Sequence, residues 1–305
     1  MERDYLYVLL AILIWSTQAF VTKLLVTSLS PVIVYFFSSL LAGATLLILY
    51  FLLNKGASAR RIFKKPGKIL IISVLLGASN LLLFTSFSML QASSVVITLY
   101  VYPILMAIFN SLLFTKKFET RELVGVLFGF LGIFIFATGG SLTTLHIESS
   151  YGYLMVLGGA VAWALYLIVQ KHFGLEVVSS NGLAFLISAL FALPLLTLIN
   201  LSGIYSISNP QILVMLLYFS VMTFGIANIL YLNGLRKVRV INGALGSYLT
   251  PVIAVILNYL VLGELIFWYD IVPILFVFIG FLVINWNAVS AALPKLRGHG
   301  PSFGQ

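Results

Sequence analysis

Apolar runs about 20 residues long recur ten times along this chain of 305 residues. A helix rising 1.5 Å per residue needs about that length to cross the hydrocarbon core of a bilayer. The runs lie at roughly 5–26, 31–53, 69–90, 93–114, 122–139, 151–172, 180–200, 211–235, 242–263 and 268–289, with connections mostly too short to fold. This pattern predicts an all-α membrane protein of ten transmembrane helices. Only 8% of residues are charged and 61% are apolar, against roughly 25% charged in soluble chains, so no stretch has the composition of a folded aqueous domain. The first run is too long for a signal-peptide core and carries no small-residue cleavage signal, and it is read as a retained helix.

The gaps between runs carry a topology code. Basic residues crowd the gap after span two (Lys55, Arg60, Arg61, Lys64, Lys65, Lys68), that after span four (Lys116, Lys117, Arg121) and that after span eight (Arg236, Lys237, Arg239). Lys171 ends span six, Lys295 and Arg297 follow span ten, and Arg3 precedes span one, whereas the gaps after the odd-numbered spans contain no Lys or Arg. Lys and Arg accumulate on the cytoplasmic side, so both termini are expected in the cytoplasm. Short loops without a targeting signal point to a plasma (inner) membrane. The net charge of +9 is spread over these gaps rather than gathered on one folded face, which argues against nucleic acid as a partner. With no cysteine, a disulfide framework, a thiolate metal site and a Cys nucleophile are excluded. His146, His172 and His299 show no metal-ligand spacing, and no phosphate-binding loop of the Gly-x-x-x-x-Gly-Lys type occurs. Neither enzyme chemistry, nor a metal, nor a cofactor is expected.

Sliding the chain against itself by 148 positions, the difference between Trp163 and Trp15, aligns the halves without a gap. Lys23 falls on Lys171, Gly77 on Gly225, Asn80 on Asn228, Tyr100 on Tyr248, Pro103 on Pro251, Asn110 on Asn258 and Gly132 on Gly280. Each half holds five spans, an odd number, so the second half must enter the membrane from the opposite side. The expected organisation is a first five-helix repeat (1–139), an outer linker (140–150), a second, inverted repeat (151–289) and a cytoplasmic tail (290–305). Inverted repeats with a site at the bilayer midplane are the architecture of secondary transporters.

Several residues carry a resemblance to a known family: Ile-Trp-Ser-Thr-Gln at 14–18 with Lys23, Trp-Ala-Leu-Tyr at 163–166, the mid-span prolines, and Gly263-Glu264 followed by Gly280. Over residues 5–289 the chain resembles the ten-helix EamA-type branch of the drug/metabolite transporter superfamily. The Gly-Glu turn occurs only in the second half, Thr115 and Lys116 holding the same positions in the first. The resemblance implies efflux of small metabolites, amino acids or drugs from a central cavity shared by the two repeats. Nucleotide-sugar or phosphorylated-metabolite exchange and proton-coupled drug export remain open on the same fold.

Positions i, i+3, i+7 and i+10 share a helix face, which places Tyr100, Pro103 and Asn110 on one stripe of span four and Tyr248, Pro251 and Asn258 on the matching stripe of span nine. Proline removes a backbone donor and clashes with the carbonyl four residues earlier, so both spans should kink and free the carbonyls of Leu99 and Ser247. Pro103, Asn110, Pro251, Asn258 and Glu264 are the candidate gating residues. The prolines could equally shape packing, and the asparagines could join helices. Trp15, Asn80, Trp163 and Asn228 fall near mid-bilayer, where a pair of tryptophans is better explained by a cavity wall than by interfacial anchoring. With Gln18, Tyr100, Tyr166, Tyr231, Ser247 and Tyr248 they form the candidate substrate-binding set, and Thr250 lies nearby. Intramembrane carboxylates mark proton relays and cation sites, yet no Asp or Glu occupies the central third of any span. Glu264 and Asp270 bracket the turn between spans nine and ten, and Glu119 and Glu122 that between four and five. Lys23 could meet a substrate anion or Glu264, or snorkel to water. A small, zwitterionic or neutral solute suits such a site, exchanged with little dependence on a pH gradient. Gly125, Gly129 and Gly132 space small residues for close helix contact, either within an expected monomer or in a dimer. The remaining partners are membrane lipids.

Overall fold

The computed structural model describes residues 2–54, 65–116, 120–137, 149–199, 201–237 and 249–284, with 286 and 290. Ser247, Tyr248 and Glu119 lie outside the described residues, as do nearly all of the linker and tail and most of the basic gap after span two. Every element among the described residues is helical. Span one is α1 (Glu2–Ser16) and α2 (Gln18–Ser28); spans two and three are α3 (Pro31–Leu53) and α4 (Pro66–Met89). Span four is α5 (Ala92–Leu99), α6 (Tyr102–Asn110) and a π-turn (Ser111–Thr115), and span five is α7 (Thr120–Ala137). Spans six and seven are α8 (Ser150–Phe173) and α9 (Val177–Leu196). Span eight joins α10 (Pro210–Tyr218), a π-helical segment (Phe219–Ile226) and α11 (Ala227–Lys237), and the last two are α12 (Leu249–Leu262) and α13 (Trp268–Ile284). Among the described residues seven helical stretches are long and apolar enough to cross a membrane, with α12 and α13 as shorter apolar helices.

Local chemistry explains where these helices begin and stop. Ser30 accepts from the Ile33 amide at 3.3 Å and Pro31 fills the first position of α3, pairing a cap with a residue that has no N–H to lose. Ser149 caps α8 through the Gly152 amide at 3.1 Å, and Gly174, at φ +58°, closes it in the left-handed region that favours glycine. Glu176 then caps α9, accepting from the Val178 and Ser179 amides at 3.0 and 2.6 Å. Asn209 and Pro210 open α10 in the same way as Ser30 and Pro31 open α3.

Spans of the first half pack mainly on spans of the second: α1 on α11, α3 on α9, α4 on α8, α5 on α12 and α7 on α13. Lipid tails are as apolar as the side chains they would replace, so close packing and interhelical hydrogen bonds drive this association. A Cβ on Gly43 would stand 2.8 Å from the Gly182 carbonyl oxygen, and one on Gly280 2.7 Å from that of Gly125. Glycine is what lets these backbones meet. The series on span five therefore packs inside the chain, Gly125 against Gly280 and Gly132 against Pro273. Hydroxyls add polar stitching: Tyr35 donates to the Ser188 carbonyl at 2.7 Å, Ser188 to that of Ser73 at 2.9 Å, and Ser79 to that of Gly159 at 3.0 Å. The exposed surface carries large apolar side chains such as Leu53, Phe130, Leu154 and Leu260, as a lipid-facing surface requires.

Candidate functional site

Among the described residues three spans lose regular α-helical geometry, and all three border one cavity. In span one the break is Thr17, whose amide and hydroxyl both turn back to the Ile14 carbonyl, at 3.1 and 2.7 Å. In span four α5 ends at Leu99 and α6 starts at Tyr102, with Pro103 unable to donate to the carbonyl of Leu99. In span eight the π-helical segment runs straight into Asn228. Irregular backbone at membrane depth is tolerated where it is buried in protein or lines a cavity, and π-segments recur at functional sites.

The cavity measures about 70 Å³, where on the same measure one water needs roughly 10–15 Å³. It therefore admits several water-sized groups. Trp15, Gln18, Asn80, Tyr100, Trp163 and Asn228 line it, as do Thr223, Thr250, Phe87, Tyr102, Phe185 and Phe224, with aliphatic side chains between them. Among these lining residues there is no Asp, Glu, Lys, Arg or His. Four polar atoms of the wall are buried without a hydrogen-bond partner: Asn80 Nδ2, Thr223 Oγ1, Asn228 Oδ1 and Thr250 Oγ1. An unpaired buried polar group costs about 1–3 kcal/mol, so the wall gains by meeting a solute or water that bonds back.

The two tryptophans are held differently. The Trp15 indole donates to the Thr223 carbonyl at 3.1 Å and packs on Tyr231, ring centroids 4.7 Å apart. Trp163 packs on Tyr166 at 5.1 Å. Tyr231 and Tyr166 thus stand behind the wall, each supporting a tryptophan. Tyr166 is fully buried and its hydroxyl donates to Asn181 Oδ1. One side of the cavity rests on an aromatic group in which Phe224 meets Phe185 at 5.1 Å, Phe219 at 4.6 Å and Phe84 at 5.9 Å.

The candidate gating residues divide. Pro103 and Pro251 are both buried, Pro103 just beyond the break in span four and Pro251 in the first turn of α12 as described. Asn110 is half-buried at the start of the π-turn of span four. Asn258 is fully buried against Ser93 of α5, its Nδ2 donating to the Ser93 hydroxyl at 3.1 Å. Glu264 grips the same point, accepting from the Ala92 amide at 2.7 Å and from the Ser93 amide and hydroxyl at 3.0 and 2.6 Å. It is an N-terminal cap for α5 supplied from the other half of the chain, and a carboxylate there also suits the helix dipole. Lys23 neither meets Glu264 nor simply snorkels to water. Its ammonium donates to the carbonyls of Phe87 and Leu90 at 2.9 and 2.7 Å, closing the C-terminal end of α4. The α4–α5 turn is thus held by a cation at one helix end and an anion at the other. Asp270 folds back on its own turn, accepting from the Phe267 amide at 2.7 Å.

The EamA-like transporter family matches this chain twice, over residues 3–138 and 150–286. The chain belongs to that family and is a multi-pass membrane protein. It is 30% identical over 156 residues to an uncharacterized transporter in the sor 3'region of Acidianus ambivalens, covering 51% of this chain and 58% of that one. It is 25% identical over 167 residues to the uncharacterized transporter YetK of Bacillus subtilis (strain 168), covering 53% and 50%. In both cases the match spans about half of the relative's length. A solved structure described as the crystal structure of a protein superposes with a TM-score of 0.70 at 18% identity, over 95% of this chain and 99% of that one, which establishes the shared fold.

Proposed function

We propose that the protein is a secondary transporter that exports small zwitterionic or neutral metabolites, amino acids among them, by alternating access through the central cavity. The observation that carries this reading is the wall itself. Uncharged amides and hydroxyls with unpartnered atoms alternate with aromatic rings, and no charged side chain lines it among the described residues. Such a wall bonds the polar end of a solute and packs its apolar remainder without asking for net charge.

Two inverted five-helix repeats, 1–139 and 151–289, account for the pairing of spans across the halves. The pairing of span one with eight becomes that of span six with three when the repeats are exchanged, while pairings two–seven, four–nine and five–ten map onto themselves. Rocking one repeat against the other exposes the cavity to either side. The basic gaps support cytoplasmic termini; in that orientation the Lys23–Glu264 region lies at the outer face, where release of Glu264 from Ala92 and Ser93 accompanies opening. An exchanger of phosphorylated solutes needs fixed positive charge in the site; Lys23 is committed to two carbonyls and Lys171 is exposed and off the cavity wall.

Counterflow in proteoliposomes preloaded with neutral amino acids, a cationic dye or a phosphate ester tests the reading. The expected result is saturable exchange of a neutral amino acid, lost in Trp163→Ala and Asn80→Ala. Exchange of the ester or dye alone would overturn it.

A further inference from the structure

The same three-bond carboxylate cap occurs twice in this chain, once built locally and once built across the two halves. Glu176 accepts from the Val178 and Ser179 amides and, at 2.6 Å, from the Ser179 hydroxyl, all within its own turn. Glu264 makes the same three bonds to Ala92 and Ser93, 172 and 171 positions away. Asn258 reaches the Ser93 hydroxyl from the same half as Glu264. A local cap survives any movement of the halves, whereas the bonds of Glu264 and Asn258 must break when the start of α5 parts from the end of α12. The turn they hold is stiffened from within the first half, because Lys23 ties the carbonyls of Phe87 and Leu90. Phe87 and, one turn into α5, Val96 line the cavity, so this turn forms one end of its wall. The matching positions at the other end cannot repeat the arrangement. At the offset of 148, Glu264 corresponds to Lys116 and Ala92-Ser93 to Val240-Ile241. Lysine has no acceptor to offer and isoleucine no hydroxyl, and Lys116 is exposed, at φ +52°, as the C-terminal cap of the π-turn.

We infer that Glu264 and Asn258, gripping Ser93 from the opposite half, form a one-sided latch that holds the α4–α5 end of the cavity shut in the resting protein, so that the cavity loads from the end bearing Lys116. The inference rests on the proposed alternating access and adds which end stands closed before solute binds. A two-state equilibrium is set by contacts made in one state and not in the other, and three hydrogen bonds to a carboxylate are strong contacts of that kind. The matching positions at the other end supply no counterweight of the same chemistry. With the basic gaps on the cytoplasmic side, loading from the Lys116 end is the order of events that export requires.

The chain has no cysteine, so single-cysteine reporters read accessibility against an empty background. Val96→Cys reports from the wall beside the latch and Ala19→Cys from the wall contributed by α2, both at buried positions that line the cavity. Ser28→Cys, at an exposed position ending α2, marks the latch face. The full chain in sealed vesicles of either orientation is treated with a membrane-impermeant methanethiosulfonate, and labelling is followed by mass spectrometry. Both wall reporters are expected to react at least tenfold more slowly from the face that labels Ser28→Cys than from the opposite face. Glu264→Ala is expected to raise the slow rate at least tenfold. Ser93→Ala, which keeps the carboxylate and both amides, is expected to raise it at least threefold and carries the test if Glu264→Ala does not fold. Glu176→Ala removes the chemically identical local cap and is expected to leave both rates within about twofold, which separates release of the latch from a general loosening of the fold. Equal rates from the two faces of the native chain, a faster rate from the latch face, or equal acceleration by Glu264→Ala and Glu176→Ala would overturn the inference. Counterflow of neutral amino acids in the same vesicles distinguishes its failure from that of the transport reading. No exchange, with one-sided labelling intact, would overturn that reading and leave the latch standing.

Discussion

At the scale of single residues, the charges of Lys23, Glu176 and Glu264 hold helix ends, and the described lining of the cavity is uncharged. Glu264 accepts three hydrogen bonds at the start of α5 and Lys23 donates two at the end of α4. Hydrogen bonds to charged groups contribute about 1.5–3 kcal/mol, so Glu264→Ala is expected to lower the thermal midpoint in detergent by several degrees, with Glu264→Gln intermediate because one acceptor survives. Differential scanning fluorimetry checks this; equal midpoints for the three proteins would contradict the cap. The sequence brings Trp15, Asn80, Trp163 and Asn228 to one place because each pair recurs at a fixed offset. It does not bring Glu264 to Ala92 and Ser93, since a contact across 171 or 172 positions leaves no local trace. A signal does exist on the other partner. The segment Gln91-Ala92-Ser93 opens α5 with no side-chain cap of its own, and orphan amides in a membrane protein have to be met from elsewhere. Tyr166 and Tyr231 share the expected depth but stand one layer back, because the bulk of Trp163 and Trp15 occupies the wall.

At the scale of elements, the features that border the cavity are interruptions of helices that would otherwise be continuous. The break in span four is legible from Pro103, whose chemistry forbids a regular turn. The break at Thr17 and the π-helical segment at Phe219–Ile226 are not, since Thr and Gly225 are accommodated in regular helices and the departure is decided by tertiary contacts. The Thr17 hydroxyl meets that of Tyr218 at 2.8 Å and the Trp15 indole takes the Thr223 carbonyl, so the two irregular segments fix one another. Pro103→Ala restores the donor that the Leu99 carbonyl lacks, and proline inside a helix costs about 3 kcal/mol. The expected outcome is an unchanged or raised thermal midpoint together with at least tenfold slower exchange in vesicles. Exchange at the native rate would mean that the break serves packing alone.

For the whole molecule, the spans of one half are distributed over the spans of the other, so no cavity wall belongs to a single half: Trp15, Asn80 and Tyr100 come from the first, and Trp163, Thr223, Asn228 and Thr250 from the second. In the proposed mechanism such a site opens to one side as contacts close on the other, and with no charged side chain among its described lining residues the exchange is expected to need no proton gradient. The most direct test is counterflow of a neutral amino acid in proteoliposomes, run with and without an imposed pH gradient. The account predicts saturable exchange at the same rate in both conditions, abolished in Asn80→Ala. Exchange that requires the gradient, or that survives loss of Asn80, would contradict it.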